Sequence, residues 1–281
     1  MRILVTGADG FLGRYLIAGL AGHEVICASR RPMENVEWRA LGDLSGDVDW
    51  KALLEGVDAV VHLANIAHQQ ASDDDIERVN HRQTAALCAA ASAAGVRQVV
   101  YVSSIYAQSG HTAPRMLTEA DAPQPLSAYG RSKLAAEQAV AASGVPFTIL
   151  RPVLVVGKGA KANAAMLEKL ARLPLPLPLG TITAKRAFLS AENFATGVAA
   201  VLGNPHALGE TFIIADREPC TVGDVVARMR AEEGRRANIF ALPGLESALR
   251  LIGAGGIWEK IGTPFLASPQ KLITLGWSPS R

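Results

Sequence analysis

No stretch of this 281-residue chain is an unbroken apolar run long enough to cross a bilayer. The first apolar strand begins directly behind Met1, without the charged leader and apolar region of a secretory signal. A basic block is absent too. Its 28 Lys and Arg stand against 26 Asp and Glu, a formal charge of +2, which argues against nucleic acid as the main partner. Cysteine is scarce. Cys27, Cys88 and Cys220 are odd in number, scattered and without metal-ligand spacing, so they read as reduced thiols of a cytoplasmic protein. The six histidines show no paired ligand spacing on a helix, and Asp73, Asp74 and Asp75 read as a helix N-terminal cluster, so no metal is expected. Repeats and low-complexity linkers are missing as well.

What is present is a 49% hydrophobic composition, enough for a large core. The most informative stretch is RILVTGADGFLG, Arg2 to Gly13. Ile3, Leu4 and Val5 read as a buried parallel strand. Phe11, Leu12, Tyr15, Leu16, Gly19 and Leu20 then recur at helical spacing. Between them lie Gly7, Gly10 and Gly13. Gly7 permits a sharp turn, Gly10 lets backbone approach a pyrophosphate, and Gly13 lets the helix pack on the sheet. The first amides of that helix, at Gly10, Phe11, Leu12 and Gly13, suit an anion. Set between strand and helix, the glycines point to a dinucleotide.

Strands and helices alternate onward. Glu24–Ala28, Val36–Leu41, Ala59–Leu63, Val96–Ser104 and Pro146–Leu150 read as further strands. Trp50–Leu54, Asp73–Ala94 and Ser127–Ala142 read as helices. This predicts an α/β fold: a doubly wound parallel sheet (Rossmann fold) with a smaller C-terminal substrate lobe. The texture changes near Arg151, which divides the chain into a nucleotide-binding domain over 1–155 and a lobe over 156–281, with part of 188–216 returning to the first domain. In the lobe, Ala162–Leu173, Asn193–Leu202, Val222–Arg230, Leu245–Ile252 and Pro269–Trp277 read as helical and Thr211–Ala215 as a strand. Leu173–Gly180, LPLPLPLG, has too much proline for an interior strand and reads as an extended segment. The cleft between the parts is the expected substrate site.

Tyr129 and Lys133 lie four apart on a predicted helix and share one face. An ammonium beside a phenol favours phenolate, making tyrosine a usable acid or base. Ser103 and Ser104 end a strand at the carboxyl edge, where open α/β sheets place ligands. One hydroxyl can bond a reacting oxygen while the other caps the strand, and the sequence leaves open which does which. At the end of the second strand, where an NAD-binding fold carries Asp or Glu, stands Ser29, followed by Arg30 and Arg31. Serine does not repel a 2′-phosphate and a guanidinium binds one, so NADP is favoured over NAD.

These marks together resemble the extended short-chain dehydrogenase/reductases, in particular the nucleotide-sugar epimerase/dehydratase group. The similarity runs through TGADGFLG (Thr6–Gly13), Asp43-Leu44, HLAN (His62–Asn65), VYVSS (Val100–Ser104), YGRSK (Tyr129–Lys133) and LRPVLVVGKG (Leu150–Gly159). It implies Ser104 as the catalytic Ser/Thr, Tyr129 as acid/base and Lys133 on the nicotinamide ribose. It further implies Asp43 at the adenine with Leu44 beside it, Leu63 and Ala64 lining the cofactor groove, and Pro152 near the carboxamide. In the lobe it implies a nucleotide-sugar site, with Asn163 and Arg186 on the phosphates and Ser103 near the sugar. Relatives of this kind often dimerise. Ala85, Ala86, Ala89 and Ala90, with Ala135, Ala136 and Ala139, offer small surfaces for such a homodimer.

Three departures refine the expectation. The loop Ser103–Gly110 is one residue longer than the usual pattern. Ile105 and Tyr106 stand where sugar dehydratases carry an Asp-Glu pair, so elimination of water is not expected. A second pyrophosphate arginine has no counterpart before Phe265. The expected activity is therefore a nucleotide-sugar 4-epimerase working by reversible hydride transfer. A 4-keto nucleotide-sugar reductase using NADPH is the second reading, and a dinucleotide sensor without catalysis the third. The sensor has no use for Ser104, Tyr129 and Lys133.

Overall fold

The computed structural model describes residues 1–66, 71–160 and 162–280, with the side chains of residues 162 and 163 undescribed. Eleven strands follow in chain order: β1 (Arg2–Thr6), β2 (Glu24–Ser29), β3 (Glu37–Ala40), β4 (Ala59–His62), β5 (Gln98–Val102), β6 (Ala113–Leu117), β7 (Phe147–Pro152), β8 (Leu154–Val156), β9 (Phe188–Ser190), β10 (Glu210–Ile214) and β11 (Phe265–Ala267). The α-helices are α1 (Phe11–Gly19), α2 (Trp50–Leu53), α3 (Asp73–Glu77), α4 (Gln83–Ala93), α5 (Ala128–Ala142), α6 (Ala162–Arg172), α7 (Ala191–Val201), α8 (Val222–Glu232), α9 (Leu245–Leu251), α10 (Gly255–Ile261) and α11 (Gln270–Thr274).

Seven strands form one parallel sheet in the order β10-β7-β5-β4-β1-β2-β3. Its inner strands are apolar on both faces, and alternate residues feed two cores. Ile3, Val5, Val61, Val100 and Leu150 point to one side, where Leu16 of α1 and Phe194 and Val198 of α7 cover them. Leu4, Val60, Val99, Tyr101 and Ile149 point to the other, against Leu87 of α4 and Ala136 and Val140 of α5. A third apolar cluster gathers Leu167, Leu177, Leu179, Phe188, Val222, Val226 and Ile261. The chain re-enters the main sheet at β10, the edge strand beside β7. On the outer edge of β10, the Ile213 N–H donates to Glu119 Oε1 (2.7 Å) and the Thr211 carbonyl accepts from Lys271 Nζ (2.8 Å).

Several elements differ from expectation. The helix read over Asp73–Ala94 is interrupted by a π turn at Arg78–Arg82. The inserted residue brings buried Asn80 against the chain after β4, where its amide accepts from Ile66 N (2.8 Å) and donates to Ile66 O (2.9 Å). Two short strand pairs, β6 with β11 and β8 with β9, and helix α10 were not anticipated. The Leu173–Gly180 segment is extended, bridged to its neighbour at Leu177 and Ile239. Its carbonyls at Leu173 and Leu175 accept from the buried guanidinium of Arg230, which also takes Ala171 O at the end of α6. Of the alanines read as a pairing surface, Ala136 lies in the core while Ala86 and Ala89 are exposed.

Candidate active site

The turn from β1 into α1 takes its shape from its glycines. Gly7 sits at φ 70°, in the left-handed region. Gly10 donates back to Gly7 O (2.9 Å) and then caps α1 without any side-chain hydrogen bond. The first amides of α1 thus have no side-chain acceptor. A Cβ on Gly13 would collide with the Ala8 backbone, so the helix can lie this close only with glycine there. Gly7, Gly10, Phe11, Leu12, Gly13 and Leu63 line one wall of a cleft of about 560 Å³. Across it stand Ser103, Ser104, Tyr129 and Pro152. The uncapped amides and the missing β-carbons fit a dinucleotide pyrophosphate.

The reacting end is built by β5, β7 and α5. Ser127 caps α5 by accepting from Gly130 N (3.0 Å), which fixes Tyr129 in the first turn. Ser104 Oγ accepts from Tyr106 N (3.2 Å) and bears on the Tyr129 phenol. Burial pushes that phenol up to about 12, with Ser104 opposing, so it is protonated near neutral pH. The expected help from Lys133 is not realised in this arrangement. Its Nζ donates instead to Val102 O (2.9 Å) and lies over the Tyr101 ring, 4.8 Å from the centroid. Burial brings the Lys133 ammonium down to about 7, with the Glu137 charge opposing. Beneath these groups His62 is buried between Thr6 Oγ1 (2.7 Å) and Thr84 Oγ1 (3.1 Å), and burial, then Lys133, lower it to about 3.

Ser103 departs from the substrate contact expected of it. Its hydroxyl donates to Glu137 Oε1 (2.5 Å) and is turned into the protein. Ser29 is likewise occupied, accepting from Trp38 Nε1 (3.0 Å) and donating to Arg31 O (2.6 Å). Arg30 and Arg31 are exposed at the end of β2, and the Asp43 carboxyl is lowered by hydrogen bonds from Ser45, with a lesser contribution from the Arg30 charge. Leu44 is buried in the second core, while Ala64 N bonds Thr6 Oγ1 (3.2 Å) and packs on Gly7. Arg186 is not free to clamp with its whole fork. One nitrogen donates to Thr263 O (2.5 Å) and the other to His111 O (3.3 Å), and the guanidinium lies over Phe265. The Asn163 side chain lies outside the described residues, although Ala164 beside it lines the cleft. Among the described residues, no three His, Cys, Asp or Glu side chains gather as a metal set, and no helix is long and apolar enough to cross a membrane.

The profile of the NAD dependent epimerase/dehydratase family matches residues 3–215, three quarters of the chain. The chain belongs to that family. It is an NAD(P)-dependent enzyme of the epimerase and reductase type. It is 28% identical over 299 residues to UDP-glucose 4-epimerase of Vibrio cholerae, covering 99% of this chain and 90% of the relative. It is also 28% identical over 290 residues to ceramide reductase of Caulobacter vibrioides, covering 99% and 86%. Among solved structures, UDP-N-acetylglucosamine 4-epimerase from Bacillus cereus superposes with a TM-score of 0.78 at 25% identity, covering 100% of this chain and 92% of that one.

Within this epimerase/dehydratase framework, two groups escaped the sequence reading. Glu137 and Arg151 form a buried pair, Nε to Oε1 at 2.9 Å and a second nitrogen to Oε2 at 2.5 Å. Arg151 also donates to Gln108 Oε1 (3.0 Å), whose amide holds the Thr118 and Asp121 carbonyls. The usable signal was Glu137 at four residues past Lys133, on the same helix face. The second group is Tyr106, His111, Lys260 and Phe265, which join Arg186 around a smaller cavity next to the cleft. His111 and Lys260 sit in segments with no periodic signal.

Proposed function

We propose that this protein is an NADPH-dependent reductase of a 4-keto nucleotide sugar. The observation that carries the reading is the end of β2, where Ser29 replaces the usual carboxylate and two exposed arginines follow. At the Ser29 position a 2′-phosphate would meet no carboxylate, and two guanidinium groups follow it. NADP chemistry suits a cofactor that arrives reduced and leaves oxidised, as a one-way reductase needs.

When bound, the nicotinamide supplies the hydride. The chain's residues do the rest. Ser104 directs its hydroxyl at the ketone oxygen, and Tyr129 gives that oxygen its proton. Lys133, one turn along α5, is assigned to the nicotinamide ribose. Gly7, Gly10 and the first amides of α1 hold the pyrophosphate, with Leu63 and Pro152 packing against the rest of the cofactor. For the substrate's diphosphate we assign Arg186, a buried cation with no carboxylate among the described residues, together with Lys260 and His111 around it. Asn163 would add an amide from the start of α6. The protein works in the cytoplasm, where the reduced cofactor is made.

The epimerase reading uses the same Ser104, Tyr129 and Lys133, and 28% identity both to a UDP-glucose 4-epimerase and to a ceramide reductase does not choose the reaction. A spectrophotometric assay separates them. The reductase oxidises one NADPH per 4-keto sugar consumed, and Arg30→Ala weakens NADPH binding roughly ten-fold relative to NADH. Inversion of a UDP-sugar at C4 with no net change in cofactor, or equal use of NADH and NADPH, would overturn the reading.

A further inference from the structure

On α5 the side chains of Tyr129, Lys133 and Glu137 succeed one another at four-residue steps and so share one face. The first two are assigned to the chemistry above. Glu137 is almost entirely buried, its side chain 5% exposed, and Arg151 opposite is 7% exposed. A buried carboxylate is costly unless fully bonded. This one is fully bonded. Oε1 accepts from Ser103 Oγ and Arg151 Nε, and Oε2 from the other end of the guanidinium. Ser103 is the residue directly before Ser104, and the Val102 carbonyl before it holds Lys133 Nζ. One carboxylate therefore ties down the strand end that carries Ser104 and stands one turn from the ammonium.

We propose that Glu137 is a positioning residue that favours the charged form of Lys133 and fixes the Ser103–Ser104 strand end, so that it sets the pH range of the reaction from behind the catalytic groups. This rests on the reading of Tyr129 and Lys133 given above. The surroundings of Lys133 leave this task to Glu137. From β5 it meets the Tyr101 ring and the Val102 carbonyl; from β4 it meets His62, which stays neutral. Tyr101 is held protonated by burial, and Cys88 of α4, a thiol raised to about 12, carries no charge either. Glu137 is the anion near this ammonium, and it supports the charged form against desolvation. Arg151 acts on Lys133 through Glu137, whose charge it balances.

The test is a titration of Lys133 itself in protein carrying 13C-labelled lysine, its resonance assigned by loss in Lys133→Met, alongside the pH profile of turnover. In Glu137→Gln the Lys133 midpoint falls by about one pH unit or more, and the alkaline limb of the turnover profile moves with it. In Arg151→Met the midpoint moves the opposite way, because an unbalanced carboxylate then faces the ammonium. Should either single variant fail to fold, the charge-balanced Glu137→Gln/Arg151→Met protein still reports, with a midpoint below wild type. A midpoint unchanged in a folded Glu137 variant, or shifts of the same sign in both singles, overturns the proposal, as does lost turnover with an unmoved alkaline limb. Retained turnover in Tyr129→Phe would instead strike the catalytic reading, while leaving the titration result intact.

Discussion

Lys133→Met isolates the energetic consequence of putting an ammonium in the core. Lys133 is 1% exposed, and burial brings it from 10.5 to about 7 in the native state. Below about 7, native and unfolded chains both carry the proton, and the native state bears the full cost of a desolvated charge. Between about 7 and 10.5 the unfolded chain keeps the proton and the native chain has released it. Stability contributed by this group therefore rises with pH across that window, by about 1.4 kcal/mol per pH unit. Methionine cannot titrate and has similar volume, so its protein lacks this slope. Urea denaturation of both proteins from pH 6 to 10 is the assay. The wild type's stability relative to Lys133→Met should be level below pH 7 and then climb with that slope. The lost bond to Val102 O adds an offset that does not vary with pH. A difference curve flat from pH 7 to 10 would refute the reasoning, since it would mean that the native Lys133 titrates as it does in water.

Other outcomes are expected. Tyr129→Phe should lose turnover by hundreds-fold or more while a dinucleotide binds as before, read by steady-state kinetics and fluorescence titration. Gly13→Ala should destabilise by roughly 1–3 kcal/mol in denaturant titration, because its Cβ meets the Ala8 backbone and α1 must shift. The protein should sediment as a homodimer at micromolar concentration through α4 and α5, where Ala86 and Ala89 are exposed; substituting both with Glu should give a monomer.

Much of this molecule could be read from the chain because parallel strands buried on both faces are short apolar runs. ILV at Ile3–Val5, AVVHL at Ala59–Leu63 and QVVYV at Gln98–Val102 are of that kind, each followed by a helix. The glycine turn, the serine pair at the end of β5 and the Tyr129/Lys133 spacing were legible because their geometry is local. What stayed hidden depends on distant partners. β6 exists because Ala113 and Leu117 meet Phe265 and Ala267 across a long span of chain, and five residues reading APRML give no period to follow. Glu137 and Arg151 went unread, since nothing in the order of residues says that both point inward. The choice between Ser103 and Ser104 was open for the same reason: only the partner of Ser103, one helix away, turns it from the cleft. The π turn in the helix after β4 was invisible because an inserted residue changes no hydrophobic pattern until Asn80 finds its backbone partners.

An edge strand is an invitation to any passing strand, because it presents donors and acceptors in the spacing that another chain can match. On β10 the invitation is withdrawn chemically. Glu119 occupies the Ile213 donor and Lys271 the Thr211 acceptor, one group of each sign. An incoming strand would have to displace both charges before forming a single ladder bond. The sheet is thus stopped at seven strands on this side by Glu119 and by α11, whose Lys271 is bonded to β10. Glu119 and Lys271 also become the places where a single substitution would reopen this edge to another strand.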